Sequence, residues 1–387
     1  MVTRRSFLGT SLGAACSVAA SPMITPVVFA AAPGERRLVV VVLRGGLDGL
    51  GIVQPYGDPG FQGLRGPLAE VPGTNGSSDL DGFFAVGGAF SDLLPMWRAG
   101  DLGFVHAVST PYRNKRSHFD GQDFLENGGS RADGQLTRSR DGWLNRAIAR
   151  IPGARADYAI AVGQDHMMLL DGDAPAGAWS PTNELRLADD ERRMLSLLYR
   201  ADPLFANALS GADMLSGTGA EARRETGATL AAFAARRLNG PARIAAFSMT
   251  GWDTHKRQDR AIRRPAAALA EALTTLKRDL GRNWQHTAVL ALTEFGRTAR
   301  VNGSGGTDHG TGGVAVLAGG AVRGGQIYGR WPGLSANGLY QDRDLMPTDD
   351  VRRWAAWALA GQFGLGRSAL ESAIFPGLDL GRDPRFL

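Results

Sequence analysis

The sequence predicts an α/β fold in which a doubly wound, mostly parallel sheet is sandwiched by helices. Short, continuously apolar runs recur along the chain, most of them end in glycine or a polar residue, and helical stretches separate several of them. A run that is apolar at every position fits a strand buried on both faces, the environment that helices on either side of a parallel sheet provide. Alternation of such strands with helices implies the doubly wound sandwich.

The elements follow in order. The chain opens with "TRRSFLGT", in which Arg4 and Arg5 precede Phe7 and Leu8, and continues as a weakly apolar run to about Ala32. This reads as a twin-arginine export signal spanning residues 1–32. The run is uncharged but short and rich in Gly, Ser and Pro, so it reads as a cleaved leader rather than a membrane anchor. Small residues at Val28 and Ala30 suit cleavage after Ala30. The first strand is the run Leu38 to Leu43 in "ERRLVVVVLRGGLDGL". Further strands are read at Asp101 to Val108, Ala156 to Gly163, Ala242 to Gly251, His286 to Gly296 and Gly312 to Gly320. Helices are read in "SDLLPMWRAG", "GQDFLENGG" and "AIRRPAAALAEALTTLKRDLGRN", with a closing helix in "PTDDVRRWAAWALAGQFG" started by Thr348. From about residue 182 to 240 the pattern is helical only, with charged faces, and reads as an insertion capping one end of the sheet.

One large α/β domain, residues 33–387, therefore follows the leader, a length that buries a core without covalent staples. Its interior has to hold the fold, because the one cysteine, Cys16, lies in the leader and the mature chain forms no disulfides. Loss of Arg4 and Arg5 removes two of the +5 formal charges, and no basic run is interleaved with aromatics, so no nucleic-acid partner is indicated. Twin-arginine export carries folded proteins, often with a cofactor already inserted, which favours a metalloprotein in the periplasm or outside the cell.

In open α/β sheets ligands bind beyond the carboxyl ends of the strands, so the residues just after each run matter most. Asp48 follows the first run, and His106 ends the second, with Ser117 and His118 opening the next helix. Asp253 and His255 follow "AAFSMTGW", Glu294 and Arg297 close "AVLALTEFGR", and Asp308 with His309 sits in "NGSGGTDHGTGG". Carboxylates and neutral imidazoles are the ligands of divalent-metal sites. Taken singly, Asp48 also fits a turn or helix cap, Glu294 and Arg297 a surface ion pair, and His106 a hydrogen-bonded core histidine. His166 and His286 read as structural or exposed. Together, acid and histidine pairs on Gly-flanked turns point to one or two divalent ions. Histidine favours zinc, manganese or iron in at least one site, and calcium suits a site built of oxygen ligands.

In this order, "TRRSFL", "LRGGLDGL", "RSHFDGQDFLENG", "GWDTH", "TEFGRT" and "GTDHGTGG" resemble the twin-arginine-exported domain-of-unknown-function family fifteen hundred and one, placed in the alkaline phosphatase and sulfatase superfamily. The resemblance covers nearly the whole chain and implies an alkaline-phosphatase-like fold with two metal sites at the carboxyl ends of the strands. Asp48 resembles the acid after the first strand that holds one metal. Glu294 stands where the superfamily has the acid of an Asp-His pair, with Phe295 in place of the histidine. Asp253 and His255 resemble the Asp and His of the other metal, two apart where the superfamily has four, and His309 with Asp308 resembles the late histidine that completes that site. Family members often have genes beside those of a second exported family, which implies a partner protein.

The resemblance also places a Ser or Thr nucleophile at the first turn of the helix after the second strand, where a metal lowers its pKa and the helix N-terminus faces the anion. Ser117 occupies that position, and with Asp120 three residues on it equally reads as a helix cap. Ser109 begins "STPYR", a weak match to the Ser/Cys-x-Pro-x-Arg pattern converted to formylglycine in sulfatases. His118 is read as catalytic beside Ser117, and Arg44, Arg113 and Arg297 as grips for the non-bridging oxygens of an anionic ester. Two function classes result: an exported metal-dependent hydrolase of phosphate or sulfate esters, or a non-catalytic metal- or glycan-binding exported protein that acts with a partner.

Overall fold

The computed structural model describes residues 34–113, 115–130, 140–180 and 225–387. Among them, nine strands form the main sheet. In chain order they are β1 (Arg37–Leu43), β2 (Leu102–Ser109), β3 (Ala159–Val162), β4 (Gly177–Trp179), β5 (Ile244–Met249), β6 (Thr287–Leu292), β7 (Gly313–Ala318), β8 (Ile327–Tyr328) and β9 (Asp349–Asp350). Their spatial order is β8-β2-β7-β6-β1-β5-β3-β4, with β9 also paired to β2. Every residue of β1 is buried, as its unbroken apolar run requires. It sits between β5 and β6 and runs parallel to both. Strand β7 departs from the parallel pattern, pairing antiparallel with β2 and β6.

Five helices matter for the site and the core: α1 (His118–Asn127), α2 (Trp143–Ile148), α3 (Gly227–Leu238), α4 (Arg263–Leu280) and α5 (Val351–Phe363). Alternate residues of a strand face one side of a sheet. Val39, Val41 and Leu43 of β1, with Ala245 and Phe247 of β5, accordingly share one apolar cluster with Leu230, Phe233 and Leu238 of α3 and Leu269, Leu273 and Leu276 of α4. Helix α5 packs on β1 and β6. Its cap is Asp350, whose side chain accepts the Arg352 N–H, and not Thr348 as the sequence pattern had it. Thr348 Oγ1 instead donates to Arg330 O at 2.7 Å.

The expected leader and most of the expected insertion lie outside the described residues. The last part of that segment is α3, which packs in the helical layer of the sandwich through seven buried residues. No helix among the described residues is long and apolar enough to cross a membrane.

His106 on β2 is the core histidine its apolar strand implied. It is 1% exposed, donates from Nε2 to Val53 O at 2.9 Å and accepts the Ala107 N–H on Nδ1 at 3.0 Å. Its ring stacks on Phe84 and meets Trp331 edge-on. Burial pushes its pKa down to about 4. The folded value lies below the unfolded one, so this residue costs nothing above about pH 6.5, and stability falls as pH drops from there towards 4, by about 3 kcal/mol in all. Denaturant titrations of wild type and His106→Gln at pH 7 and pH 4.5 check this. The variant is expected to lose distinctly less stability over the interval, and equal losses contradict the assignment.

A candidate metal centre at the carboxyl edge of the sheet

The loops after β1, β2, β5 and β6 meet at one edge of the sheet. The antiparallel sense of β7 brings in the last residues: the β6–β7 connection leaves that edge at Thr293 and returns to it at Gly312, so Glu294 and His309 share one connection. Gly45 and Gly306 allow the loops to close in. Gly45 has φ +124° and a Cβ there would lie 2.6 Å from Asp253 N, while a Cβ on Gly306 would lie 2.3 Å from the carbonyl carbon of His255.

Three imidazoles converge here, each held from behind through Nδ1. His118 Nδ1 lies 2.8 Å from Glu294 Oε1, His309 Nδ1 2.8 Å from Arg116 O, and His255 Nδ1 3.3 Å from Asp308 Oδ1. These acceptors put the protons on Nδ1, so the three Nε2 atoms present lone pairs. The Nε2 atoms of His255 and His309 face each other at 3.0 Å. Asp253 Oδ1 lies 3.0 Å from the first and 3.1 Å from the second. His118 Nε2 is buried without a hydrogen-bond partner and points at Asp253 Oδ2 from 3.5 Å. The ligand atoms of His118, Asp253 and His309 all lie within 4.8 Å of one another.

Lone pairs turned toward each other need a cation between them, and imidazoles oriented by a carboxylate or carbonyl behind them are the arrangement metal-ligating histidines adopt. The donor set therefore fits a divalent metal ion. Aromatic packing stiffens it: the buried ring of Phe295 stacks on His118 at 5.1 Å between centroids and packs against His309 at 5.0 Å.

The electrostatics agree. The Glu294 hydrogen bond raises the His118 pKa above its usual value, outweighing burial. Burial pushes Glu294 and Asp253 upward, but the hydrogen bond from His118 to the one and that from Arg297 to the other leave both below the usual carboxyl range. Both acids are therefore ionised at neutral pH.

Several residues read from the sequence do other work. Asp48 is not at the cluster: its carboxylate is 2% exposed and takes Arg65 Nη2 and Gln258 Nε2 on Oδ2. Nor does its side chain cap the short helix Gly49–Ile52. Glu294 acts through His118 rather than as a ligand. Arg297 is buried and its donors are taken, Nη1 by Asp253 Oδ1 at 2.7 Å and Nη2 by Thr307 O at 2.6 Å, so it anchors an acid instead of gripping substrate. Arg113 Nη1 folds back on Thr110 O and Tyr112 O of its own loop. Arg44 Nη2 pairs with buried Glu126 at 2.9 Å and donates to His166 O at 3.0 Å. Ser109 is 6% exposed and donates to Thr110 O at 2.9 Å. Ser117 caps α1, its Oγ accepting the Asp120 N–H at 3.4 Å, and lies one residue before His118. Sequence reasoning missed Arg65, Gln258 and the Arg116 carbonyl, none of which sits in a pattern that marks it.

The family described as "Protein of unknown function (DUF1501)" matches residues 106–374. No curated protein matches the sequence. Among solved structures, the chain is similar to a protein in the alkaline phosphatase superfamily from Vibrio parahaemolyticus, with 12% identity and a TM-score of 0.39 over 76% of this chain and 63% of that one. It thus spans less than two thirds of that neighbour's length. It is also similar to the zinc complex of the C-terminal periplasmic domain of EcEptC from Escherichia coli (10% identity, TM-score 0.42, 89% of this chain and 88% of that one). A third similar structure is the phosphonate monoester hydrolase of Agrobacterium radiobacter (12% identity, TM-score 0.30, 76% of this chain and 71% of that one). With the matched span taking in His118, Asp253, His255, Glu294 and His309, the chain belongs to the DUF1501 family.

Proposed function

We propose that the protein is an exported metal-dependent hydrolase of phosphate or sulfate esters. The observation that carries this reading is the inward convergence of three histidine Nε2 atoms and the Asp253 carboxylate, with the His118 Nε2 buried and unpartnered. A divalent ion held by His118, Asp253 and His309, with His255 Nε2 beside them, would supply Lewis acidity toward an ester oxygen. The chain's own residues supply the setting. Glu294 orients His118, Arg297 holds Asp253, and α1 begins at the cluster with His118, so its free N–H groups and positive end favour an anion there. Ser117, which caps that helix one residue before His118, is the proposed nucleophile.

Metal analysis of the purified mature protein, with a screen of chromogenic phosphate, phosphodiester and sulfate esters with and without chelator, tests the reading. Chelator-sensitive turnover supports it. Bound metal with no turnover of any ester favours the non-catalytic, metal-binding alternative.

Two substitutions separate chemistry from capping at Ser117. Ser117→Ala is expected to abolish turnover with metal content unchanged and a stability loss of about 1 kcal/mol from the cap. Ser117→Asp restores the cap, because aspartate caps at least as well, and is expected to stay inactive. Activity in the aspartate variant would show that Ser117 is a cap alone.

A further inference from the structure

Resting on that metal centre, we infer that the protein binds one divalent ion and not a pair, and that the guanidinium of Arg65 is the fixed cation that claims the acid after β1. Asp48 and Arg65 are both buried, and Asp48 Oδ2 accepts from Arg65 Nη2 and from Gln258 Nε2. Arg65 is gripped from its other side as well, Nη1 donating to Thr298 O at 3.2 Å and lying 3.5 Å from Ala299 O. A guanidinium wedged between a carboxylate and backbone carbonyls has nowhere to swing, and its positive charge repels a dication from the same carboxylate.

Glu294, the other acid expected at a second ion, is also engaged. Oε1 accepts from Gly45 N at 2.8 Å and from His118 Nδ1 at 2.8 Å, and Oε2 accepts from Thr293 Oγ1 at 3.1 Å. Among the described residues, the group of acids and histidines close enough to share an ion is His118, Asp253 and His309.

The buried pair has a role at the centre nonetheless. Arg297 Nε donates to Thr307 Oγ1 at 3.3 Å, Thr307 Oγ1 donates to Gln258 Oε1 at 2.7 Å, and Gln258 Nε2 donates to Asp48. Thr254 Oγ1 also donates to Gln258 Oε1 at 2.9 Å. The first three bonds run the same way, from the Arg297 that holds Asp253 to an anion at Asp48, and the Thr254 bond joins them from the side at Gln258. Asp48 and Arg65 are positioning residues that terminate this relay.

The test is metal stoichiometry. Calorimetric titration of metal-stripped wild type with Zn²⁺ is expected to give one equivalent per chain, and two equivalents overturn the inference. Failure to bind Zn²⁺ at all overturns the metal centre itself, which distinguishes the two readings. The double variant Asp48→Asn/Arg65→Met removes both buried charges together while the Asn oxygen still accepts from Gln258. It is expected to keep one ion per chain, weakened by no more than about tenfold to a hundredfold, the range that outer partners of a ligand span. Loss of the ion from the folded double variant would make Asp48 a ligand and overturn the inference. The wild-type titration decides the matter even where that variant does not fold.

Discussion

Asp253→Ala is expected to empty the centre of metal and to produce the largest loss of thermal stability among the site variants. One carboxylate meets every inward group: Oδ1 lies 3.0 Å from His255 Nε2, 3.1 Å from His309 Nε2 and 2.7 Å from Arg297 Nη1, and Oδ2 lies 3.5 Å from His118 Nε2. Alanine leaves three imidazoles with no anion among them and a buried guanidinium without its acid. Orphaning that buried cation costs more than the ~1–3 kcal/mol of an unpaired neutral group. Loss of metal removes the stabilisation that ligand binding confers, about 4 kcal/mol where free metal stands at a thousand times Kd. Metal analysis and melting curves in the presence and absence of chelator check both parts. The wild type is expected to lose stability with chelator, and Asp253→Ala is expected not to respond to it. Wild-type metal content in the variant would refute the assignment.

The second large effect is expected from Arg297→Met, and it separates two roles. A residue that grips substrate oxygens changes KM and leaves the metal alone. Arg297 is instead fully buried, with Asp253 Oδ1, Thr307 O, Thr307 Oγ1 and Gly45 O as its acceptors at 2.7, 2.6, 3.3 and 3.4 Å. Methionine fills the stem but supplies none of these bonds, so Asp253 is freed to turn and Thr307 O is left without a donor. Metal affinity is expected to fall about 10–100-fold, as it does when the group behind a ligand is removed. Arg297→Lys is expected to behave nearly as badly, because a single ammonium cannot reach Asp253 and Thr307 as the planar fork does. Wild-type metal affinity in Arg297→Met, together with a raised KM, would return Arg297 to the substrate.

The apolar runs Leu38 to Leu43 and His286 to Gly296 announced strands buried on both faces, and the strands found there, Arg37–Leu43 and Thr287–Leu292, are wholly buried in the sheet. That Asp253, His255 and His309 would lie near one another was legible because each follows or precedes such a run by a few residues, and strand ends share an edge; His118 was read as a catalytic residue beside Ser117, and its place in the candidate metal group with Asp253 and His309 was not. The antiparallel sense of β7 was not legible, since an apolar run of six residues carries no sign of its direction. The cap of α5 was misplaced by two residues because Thr348 and Asp350 are both good caps, and backbone geometry chooses between them.

By itself, the sequence determined the alternating architecture, the edge where the chemistry gathers and the donor types there, because apolar periodicity, glycine turns and the identity of side chains are local properties. Only the tertiary structure decided which acid serves which role. Asp48 is claimed by Arg65, 17 residues away, and Glu294 is held by Gly45, 249 residues away, and by His118, 176 residues away. A carboxylate is the same group whether it binds a metal, a guanidinium or an imidazole. Which of these it meets depends on loops that come together only once the sheet has formed.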